Sequence, residues 1–157
     1  MIEYINGDLL KTNVDIIIHQ CNCLGSMEKG LALQIKNKYP EVYEDYVDFC
    51  KTVKKSKDLL GECLISETND GHYVANIFGQ DKYYPRNIRH TDYTALEGSL
   101  NFLKTWMKGN RIKTAGCPFL MSCALAGGDW DGVVLPMLKN IFEKDTDIIL
   151  KIVKYKK

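Results

Sequence analysis

A loop of small residues between a predicted strand and a predicted helix is the stretch of this chain best suited to chemistry. An apolar run begins at Thr114, and residues 120–128 follow it with small side chains and a Gly-Gly pair. A helix is predicted to begin near Asp129. In such a loop backbone amides can approach a ligand, and the unpaired N–H groups of the first helical turn point toward it. The loop therefore favours phosphate binding, with an ordinary strand-to-helix connection as the alternative.

Two further loops are predicted at the same edge of the sheet. Residues 21–30 follow an apolar strand candidate, and residues 79–90 follow another. Ligands of open α/β sheets bind outside the carboxyl ends of strands. Asp8 adds a carboxylate after the first strand, and the loop 79–90 carries polar, basic and aromatic side chains, namely Gln80, Lys82, Tyr84, Arg86 and Arg89. A carboxylate accepts from an exocyclic amine and an aromatic ring stacks on a base, so we expect an elongated ligand with a central diphosphate.

The elements that position these loops alternate between strand and helix. A hairpin is predicted through the turn 68–71, so at least one antiparallel pairing is expected. Thr91 is predicted to cap the third helix. The class is α/β with helices on both faces of the sheet. Strands are predicted over 2–5, 15–20, 61–66, 73–78 and 148–153 and from Thr114, with helices over 30–39, 41–53 and 92–108 and from Asp129.

Composition limits the partners that the chain can have. The 157 residues are predicted to form one domain, 1–157, and 21 basic and 20 acidic side chains give a net charge of +1. Any contact with nucleic acid must therefore be local. The basic run 51–57 is more typical of a solvated helix end than of a binding patch. With no apolar run near the roughly 20 residues that span a bilayer and no signal-peptide pattern, we expect no membrane partner and a cytoplasmic protein.

The six cysteines are interpreted as reduced thiols rather than as a disulfide framework. Cys21 and Cys23 form a C-x-C pair near His19, but the chain offers no second spaced pair for zinc. No metal and no cofactor are therefore expected. Cys123 lacks a neighbouring histidine in the sequence, which disfavours it as a nucleophile.

Six segments in sequence order share a pattern with a known family. The segments are 7–9, 15–22, Met27 with 30–33, 76–80, 91–100 and 127–130. Together they resemble the macrodomain (ADP-ribose-binding) family over nearly the whole chain, and most closely the branch that includes ADP-ribose 1''-phosphate phosphatases and terminal ADP-ribose hydrolases. The resemblance implies a three-layer α/β/α fold with a mixed sheet of about six strands. It also implies a monomer that acts on ADP-ribose or an ADP-ribosylated substrate, with nucleic acid included only if it carries the ADP-ribosyl group.

The same resemblance implies a role for individual residues. Asp8 would hydrogen-bond the adenine amine, and Leu9 would lie beside the base. Asn22 and Gln80 would lie at the distal ribose and position an attacking water, which makes them the candidate catalytic residues. The two phosphate loops would be formed by Ser26, Met27 and Gly30 and by Ser122, Cys123, Ala124, Leu125, Ala126 and Gly127. Taken singly, Asp8 also fits a turn residue, Asn22 a strand-end cap and Gln80 a surface amide.

Several positions depart from the family pattern. Glu28 would place a negative charge near a diphosphate unless it points to solvent. Ser122 and Ala124 replace glycines, and Ala32 and Ala126 stand where members of the family can carry catalytic acids. Three hypotheses follow: a hydrolase that releases ADP-ribose from ADP-ribose 1''-phosphate or from ADP-ribosylated macromolecules, a non-catalytic ADP-ribose-binding module, or a macrodomain whose site has decayed.

Overall fold

The computed structural model describes residues 1–157 and contains one mixed six-stranded sheet, as predicted. The strands are β1 Ile2–Gly7, β2 Ile16–Gln20, β3 Cys63–Glu67, β4 Tyr73–Ile77, β5 Thr114–Pro118 and β6 Ile149–Tyr155. Their order across the sheet is β1-β6-β5-β2-β4-β3. The β3–β4 pairing is antiparallel, which confirms the predicted hairpin, and every other pairing is parallel. Five strands therefore end at one edge of the sheet.

Helices cover both faces of this sheet. They are α1 Gly30–Lys38, α2 Pro40–Cys50, α3 Tyr93–Gly109 and α4 Leu135–Phe142, with shorter turns at Leu9–Lys11, Ser56–Leu59 and Trp130–Val134. Because side chains alternate along a strand, Ile16 and Ile18 of β2 pack in a core with α3 and α4. Ile17 faces the other way, into a core with α1 and α2. The predicted three-layer α/β/α arrangement is thus confirmed.

Two details of the helices differ from the prediction. The prediction that Thr91 caps α3 is wrong: the cap is Asp92, whose side chain accepts a hydrogen bond from Ala95 N at 3.0 Å. Thr91 is buried instead, and its hydroxyl donates to the backbone oxygen of Ser122 at 2.7 Å. The second helix ends at Cys50, three residues before its predicted end. None of the helices has both the length and the apolar character needed to cross a bilayer.

Candidate functional site

The second predicted phosphate loop presents a row of backbone N–H groups that have no acceptor within the protein. These belong to four consecutive residues, Ala124, Leu125, Ala126 and Gly127. One carbonyl group of this row is turned into the protein: Ala126 O accepts from His90 N at 2.8 Å and from Thr91 N at 3.2 Å. Several unpaired backbone N–H groups in succession offer donors to an anion without a charged side chain.

Ser122 adopts a backbone conformation that usually requires glycine. Its φ is +69°, in the left-handed region, where a side chain costs about 1–2 kcal/mol. Its hydroxyl points inward and donates to Gln20 Oε1 at 2.6 Å, which offsets part of that cost. Gly128 must lack a side chain, because a Cβ there would lie 2.5 Å from Ser122 O. The serine that departs from the family pattern is therefore buried as part of the loop's own support.

The first predicted phosphate loop is organised around the side chain of Asn22. Its Oδ1 accepts from Leu24 N at 3.0 Å and from Ser26 N at 3.3 Å, and its Nδ2 donates to Ser26 O at 2.9 Å. Tyr46 of α2, which is fully buried, donates its hydroxyl to Asn22 at 2.6 Å (O) and 2.8 Å (Oδ1). Burial raises the pKa of Tyr46, so the hydroxyl stays a donor. Asn22 therefore fixes the shape of this loop.

The first loop continues into α1, whose first turn also exposes free amides. The N–H groups of residues 28–32 have no acceptor within the protein, and Lys29, at the N-cap position, makes no side-chain cap. Gly30 opens the helix with a φ of +58°. Glu28 forms an ion pair with Lys36 at 2.9 Å, and Lys36 Nζ in turn lies 4.1 Å from the centre of the Tyr43 ring. These contacts direct the Glu28 carboxylate along the helix.

Met27 is wholly buried, in a core with Tyr46 and Phe78. Ser26 is half-buried, and its backbone N–H and C=O are both bonded to Asn22. Of the residues expected beside the phosphates, Met27 therefore packs into the core and Ser26 is held by Asn22.

A polar cluster joins the second loop to the chain after β4, and the sequence alone did not identify it. Gln20, the last residue of β2, donates Nε2 to Gln80 Oε1 at 2.8 Å and to Thr91 Oγ1 at 3.0 Å, while its Oε1 accepts from Ser122. A Cβ at Gly79 would clash with the Gln20 side-chain amide, so a side chain there would displace Gln20 from this cluster. A glutamine at the end of an apolar strand, together with a glycine after the neighbouring strand, is the signal that the sequence carried.

Gln80 lies next to the first loop, as its predicted role requires. Cys23 donates its thiol to Gln80 O at 3.3 Å and its backbone N–H to Asp81 O at 2.8 Å. Both ends of the Gln80 amide are engaged, since Nε2 donates to Lys82 O at 2.8 Å. Segments carrying both candidate catalytic residues, Asn22 and Gln80, therefore meet.

Asp8 lies at the same edge of the sheet, after β1. Its Oδ1 accepts from Leu10 N at 3.0 Å and so caps the turn Leu9–Lys11. Leu9 itself is buried against Gly116 of β5, where a Cβ would lie 2.8 Å from its Cδ1 atom. Asp8 also lines a cleft of about 490 Å³ together with Tyr155, a largely exposed aromatic side chain that the sequence did not single out.

The thiols and the buried imidazole near the site are poor candidates for catalysis. Burial, reinforced by Asp129 and Asp131, raises the pKa of Cys123 to about 11, so the thiol stays protonated at neutral pH. His19 is buried and its pKa is lowered to about 4. Asp129 accepts a hydrogen bond from Gly132 N at 2.9 Å and so stabilises the start of the last helix. No three His, Cys, Asp or Glu side chains are grouped so that they could hold a metal ion.

Comparison with known proteins places these features in context. No protein-family model matches the chain. The chain is 32% identical to an ADP-ribose 1''-phosphate phosphatase of Scheffersomyces stipitis over 135 residues, which covers 73% of the chain and 76% of that relative. It is 28% identical over 137 residues to a DNA ADP-ribosyl glycohydrolase of Mycobacterium tuberculosis, covering 85% of the chain. The match spans only 36% of that relative's length.

Among solved structures, the fold resembles the macrodomain of Mycobacterium tuberculosis DarG. The TM-score is 0.83 at 23% sequence identity, and the alignment covers 100% of this chain and 99% of that one. At this identity the likeness concerns the fold.

Proposed function

Because the chain belongs to the macrodomain family, we propose that it binds ADP-ribose and releases it from ADP-ribose 1''-phosphate or from ADP-ribosylated macromolecules. The observation that carries this proposal is the pair of amide-lined loops. Residues 124–127 and 28–32 both present N–H groups that have no acceptor within the protein, and the loops leave the ends of adjacent parallel strands. Two such groups side by side suit a diphosphate, and the start of α1 adds the favourable end of a helix dipole.

The adenosine part of the ligand would lie toward β1. There Asp8 accepts from the exocyclic amine of adenine, since a carboxylate offers only acceptors. Tyr155 borders the same cleft and offers a ring face to the base. Leu9, which was expected beside the base, is buried against Gly116 and does not line this cleft.

The distal ribose would lie at the other end, beside Asn22 and Gln80. In the phosphatase reaction the oxygen of a water forms a bond to phosphorus, and the bond from phosphorus to the oxygen on C1'' breaks. That oxygen takes up a proton, and the products are ADP-ribose and inorganic phosphate. Asn22 and Gln80 orient the water, while the loop amides stabilise the charge that develops on the phosphate oxygens.

Turnover assays test the hydrolase directly. The protein is incubated with ADP-ribose 1''-phosphate, with an ADP-ribosylated oligonucleotide and with an ADP-ribosylated peptide, and released phosphate or ADP-ribose is measured. We expect turnover on at least one substrate and a loss of at least tenfold in Gln80→Ala. Asn110→Ala, at the far end of α3, is the matched amide control and should keep full activity. The absence of turnover on all three substrates would reject the hydrolase.

A non-catalytic ADP-ribose-binding module is the second candidate. It is favoured by the alanines at positions 32 and 126 and by the engagement of both the Asn22 and the Gln80 amides within the protein. Calorimetry separates the two functions: heat of binding with ADP-ribose, without turnover on any substrate, would identify a binder. If ADP-ribose gives no heat at all, both candidates fail.

A further inference from the structure

Two short segments of this chain are strongly basic. Residues 51–57, the lysine segment, contain four lysines, and residues 82–89, the aromatic segment, contain one lysine and two arginines. Neither segment contains an acidic residue. The rest of the chain carries 14 basic and 20 acidic side chains. The net charge of +1 is therefore the sum of a basic part, formed by the two segments, and an acidic remainder.

The basic side chains of both segments are free of ion pairs. The five ion pairs of the structure involve only Lys36, Lys104, Lys108 and His72 as cations. All four lysines of the lysine segment are exposed, as are Lys82 and Arg86. Arg89 stacks on the ring of Tyr93 at 4.4 Å, which leaves its charge uncompensated. Exposed and unpaired cations of this density attract a polyanion.

The lysine segment contacts the residue that precedes the aromatic segment. Ser56 donates to Asp81 Oδ1 at 2.7 Å, and Asp81 O accepts from Cys23 N at 2.8 Å in the first loop. Lys51 and Lys54 line a cavity of about 370 Å³ together with residues 23–25 of that loop. Exposed lysines therefore lie beside the first loop, at the proposed distal-ribose end of the site.

The aromatic segment also exposes two neighbouring rings. Tyr83 and Tyr84 are 49% and 52% exposed, and their ring centres lie 5.2 Å apart at 80°. Exposed tyrosines beside unpaired cations are the combination that binds single-stranded nucleic acid, because unpaired bases stack on the rings while the cations contact phosphates. An acidic peptide would use the lysines but has no need of the rings.

We propose that the lysine segment and the aromatic segment together bind a single nucleic-acid strand that carries the ADP-ribosyl group. This inference rests on the proposed function, because it describes the part of the substrate beyond the distal ribose. The phosphodiester backbone runs over the lysines and the aromatic segment holds one or two bases. The lysines of the lysine segment lie outside both amide-lined loops, so binding of free ADP-ribose is independent of them.

Fluorescence anisotropy with an unmodified single-stranded 12-mer tests the surface separately from the site. We expect the lysine triple variant Lys54→Gln, Lys55→Gln, Lys57→Gln to bind about tenfold more weakly in low salt, and its slope of log Kd against log salt to fall by about 2. Tyr83→Ala with Tyr84→Ala should weaken binding about fivefold or more. The matched control is Lys113→Gln, Lys139→Gln, Lys144→Gln, three exposed lysines elsewhere that make no ion pair.

Three results would overturn the inference: equal losses in the lysine triple and its control, tighter binding of an oligoglutamate peptide than of the oligonucleotide, or binding that does not change with salt. Circular dichroism melts confirm that each variant is folded. Calorimetry with ADP-ribose on the wild type and the lysine triple should give equal affinities. If the wild type binds the oligonucleotide but gives no heat with ADP-ribose, the proposed function fails while the surface remains, so the two failures are distinguishable.

Discussion

The side chain of Asn22 acts as a turn of backbone would, since it accepts from two N–H groups of the first loop and donates to one carbonyl of it. Tyr46 completes this arrangement from α2 with bonds of 2.6 and 2.8 Å. A residue that was expected to touch the ligand thus also sets the shape of the loop that holds it. The positions of the amides in the first loop therefore depend on a hydroxyl that cannot reach the ligand itself.

Replacing Tyr46 by phenylalanine tests this dependence. Tyr46→Phe removes one donor from a buried amide, so we expect the free energy of unfolding to fall by about 1 kcal/mol. The affinity for ADP-ribose should fall about fivefold, because the Asn22 side chain loses one of the hydrogen bonds that hold it in place. Urea denaturation and calorimetry measure the two effects. Tyr4→Phe, at an exposed position of β1, should change neither quantity. An unchanged affinity for ADP-ribose in Tyr46→Phe would show that the bond from Tyr46 to Asn22 does not control the shape of the first loop.

His19 makes the stability of the protein depend on pH. Its Nε2 lies 2.7 Å from Asn76 Oδ1, and Asn76 Nδ2 donates to Leu64 O, which orients the amide. His19 Nδ1 is buried with no partner, so protonation would bury a charge. Burial lowers the pKa of His19 from 6.5 to about 4 in the folded protein. The unfolded chain therefore binds more protons between these values, and the folded state loses stability as the pH falls from 6.5 to about 4.

The loss amounts to about 3 kcal/mol at most, from about 1.4 kcal/mol for each pH unit. Urea denaturation at pH 7 and at pH 4.5 measures it. We expect His19→Gln to be less stable at pH 7 but to lose much less on acidification. His90→Gln, at a half-buried position, is the control and should keep the wild-type pH dependence. A wild-type protein equally stable at both pH values would contradict a lowered pKa of His19 in the folded state.

At the scale of elements, the second loop depends on the chain that leads into α3. Gly127 has a φ of +73°, and a Cβ there would lie 3.0 Å from Ile88 O and 3.1 Å from Arg89 Cα. We therefore expect Gly127→Ala to lower the free energy of unfolding by about 1–2 kcal/mol and to weaken ADP-ribose binding, because the amides of the loop must shift.

Gly98→Ala is the matched substitution within α3. This glycine is exposed, and a Cβ there meets nothing within 4 Å. Alanine is the better helix former by about 1 kcal/mol, so this variant should be more stable than the wild type and bind ADP-ribose equally well. Thermal melts and calorimetry on both variants provide the comparison. If Gly127→Ala bound ADP-ribose as well as Gly98→Ala does, the backbone geometry of the second loop would not determine affinity.

Most helices and strands could be predicted from the sequence, but the hydrogen bonds that join them to one another could not. An uninterrupted apolar run identifies β2 as a strand covered on both faces, and the turn 68–71 identifies the hairpin. Thr91 and Asp92 are both good helix caps, and local preference does not decide between them. The choice depends on Ser122, whose carbonyl engages Thr91 from 31 residues away. Long-range partners of this kind have no signature in a single sequence.

The same limit applies to the site. The order of strand and loop was enough to predict which segments gather at the carboxyl edge, because parallel strands end together. It was not enough to show that Met27 turns into the core or that Gln20 links the second loop to the loop after β4. The face of the sheet on which Gln20 lies depends on the register between strands, because a shift of one residue would turn it to the opposite face. Met27 lies in a loop, and its position depends on its packing against Tyr46 and Phe78.

At the scale of the whole molecule, the proposed site extends across the sheet. Four strand spacings separate β1, which leads to Asp8, from β4, which leads to Gln80, a span of about 19 Å at about 4.8 Å each. Only a ligand with groups at both ends contacts all the loops.

ADP-ribose at 100 times its Kd should therefore stabilise the protein by about 2.7 kcal/mol and raise Tm by about 5–10 °C. AMP and ribose 5-phosphate, added together at the same concentration, should raise Tm much less. Each occupies only one end of the site, and binding of one does not raise the effective concentration of the other as a covalent link does. Differential scanning fluorimetry measures the shifts, and Asp8→Asn should lower the response to ADP-ribose and to AMP while leaving that to ribose 5-phosphate unchanged. If AMP alone matched ADP-ribose, the ligand would occupy the β1 end only, and the loops after β2 and β5 would have no part in binding.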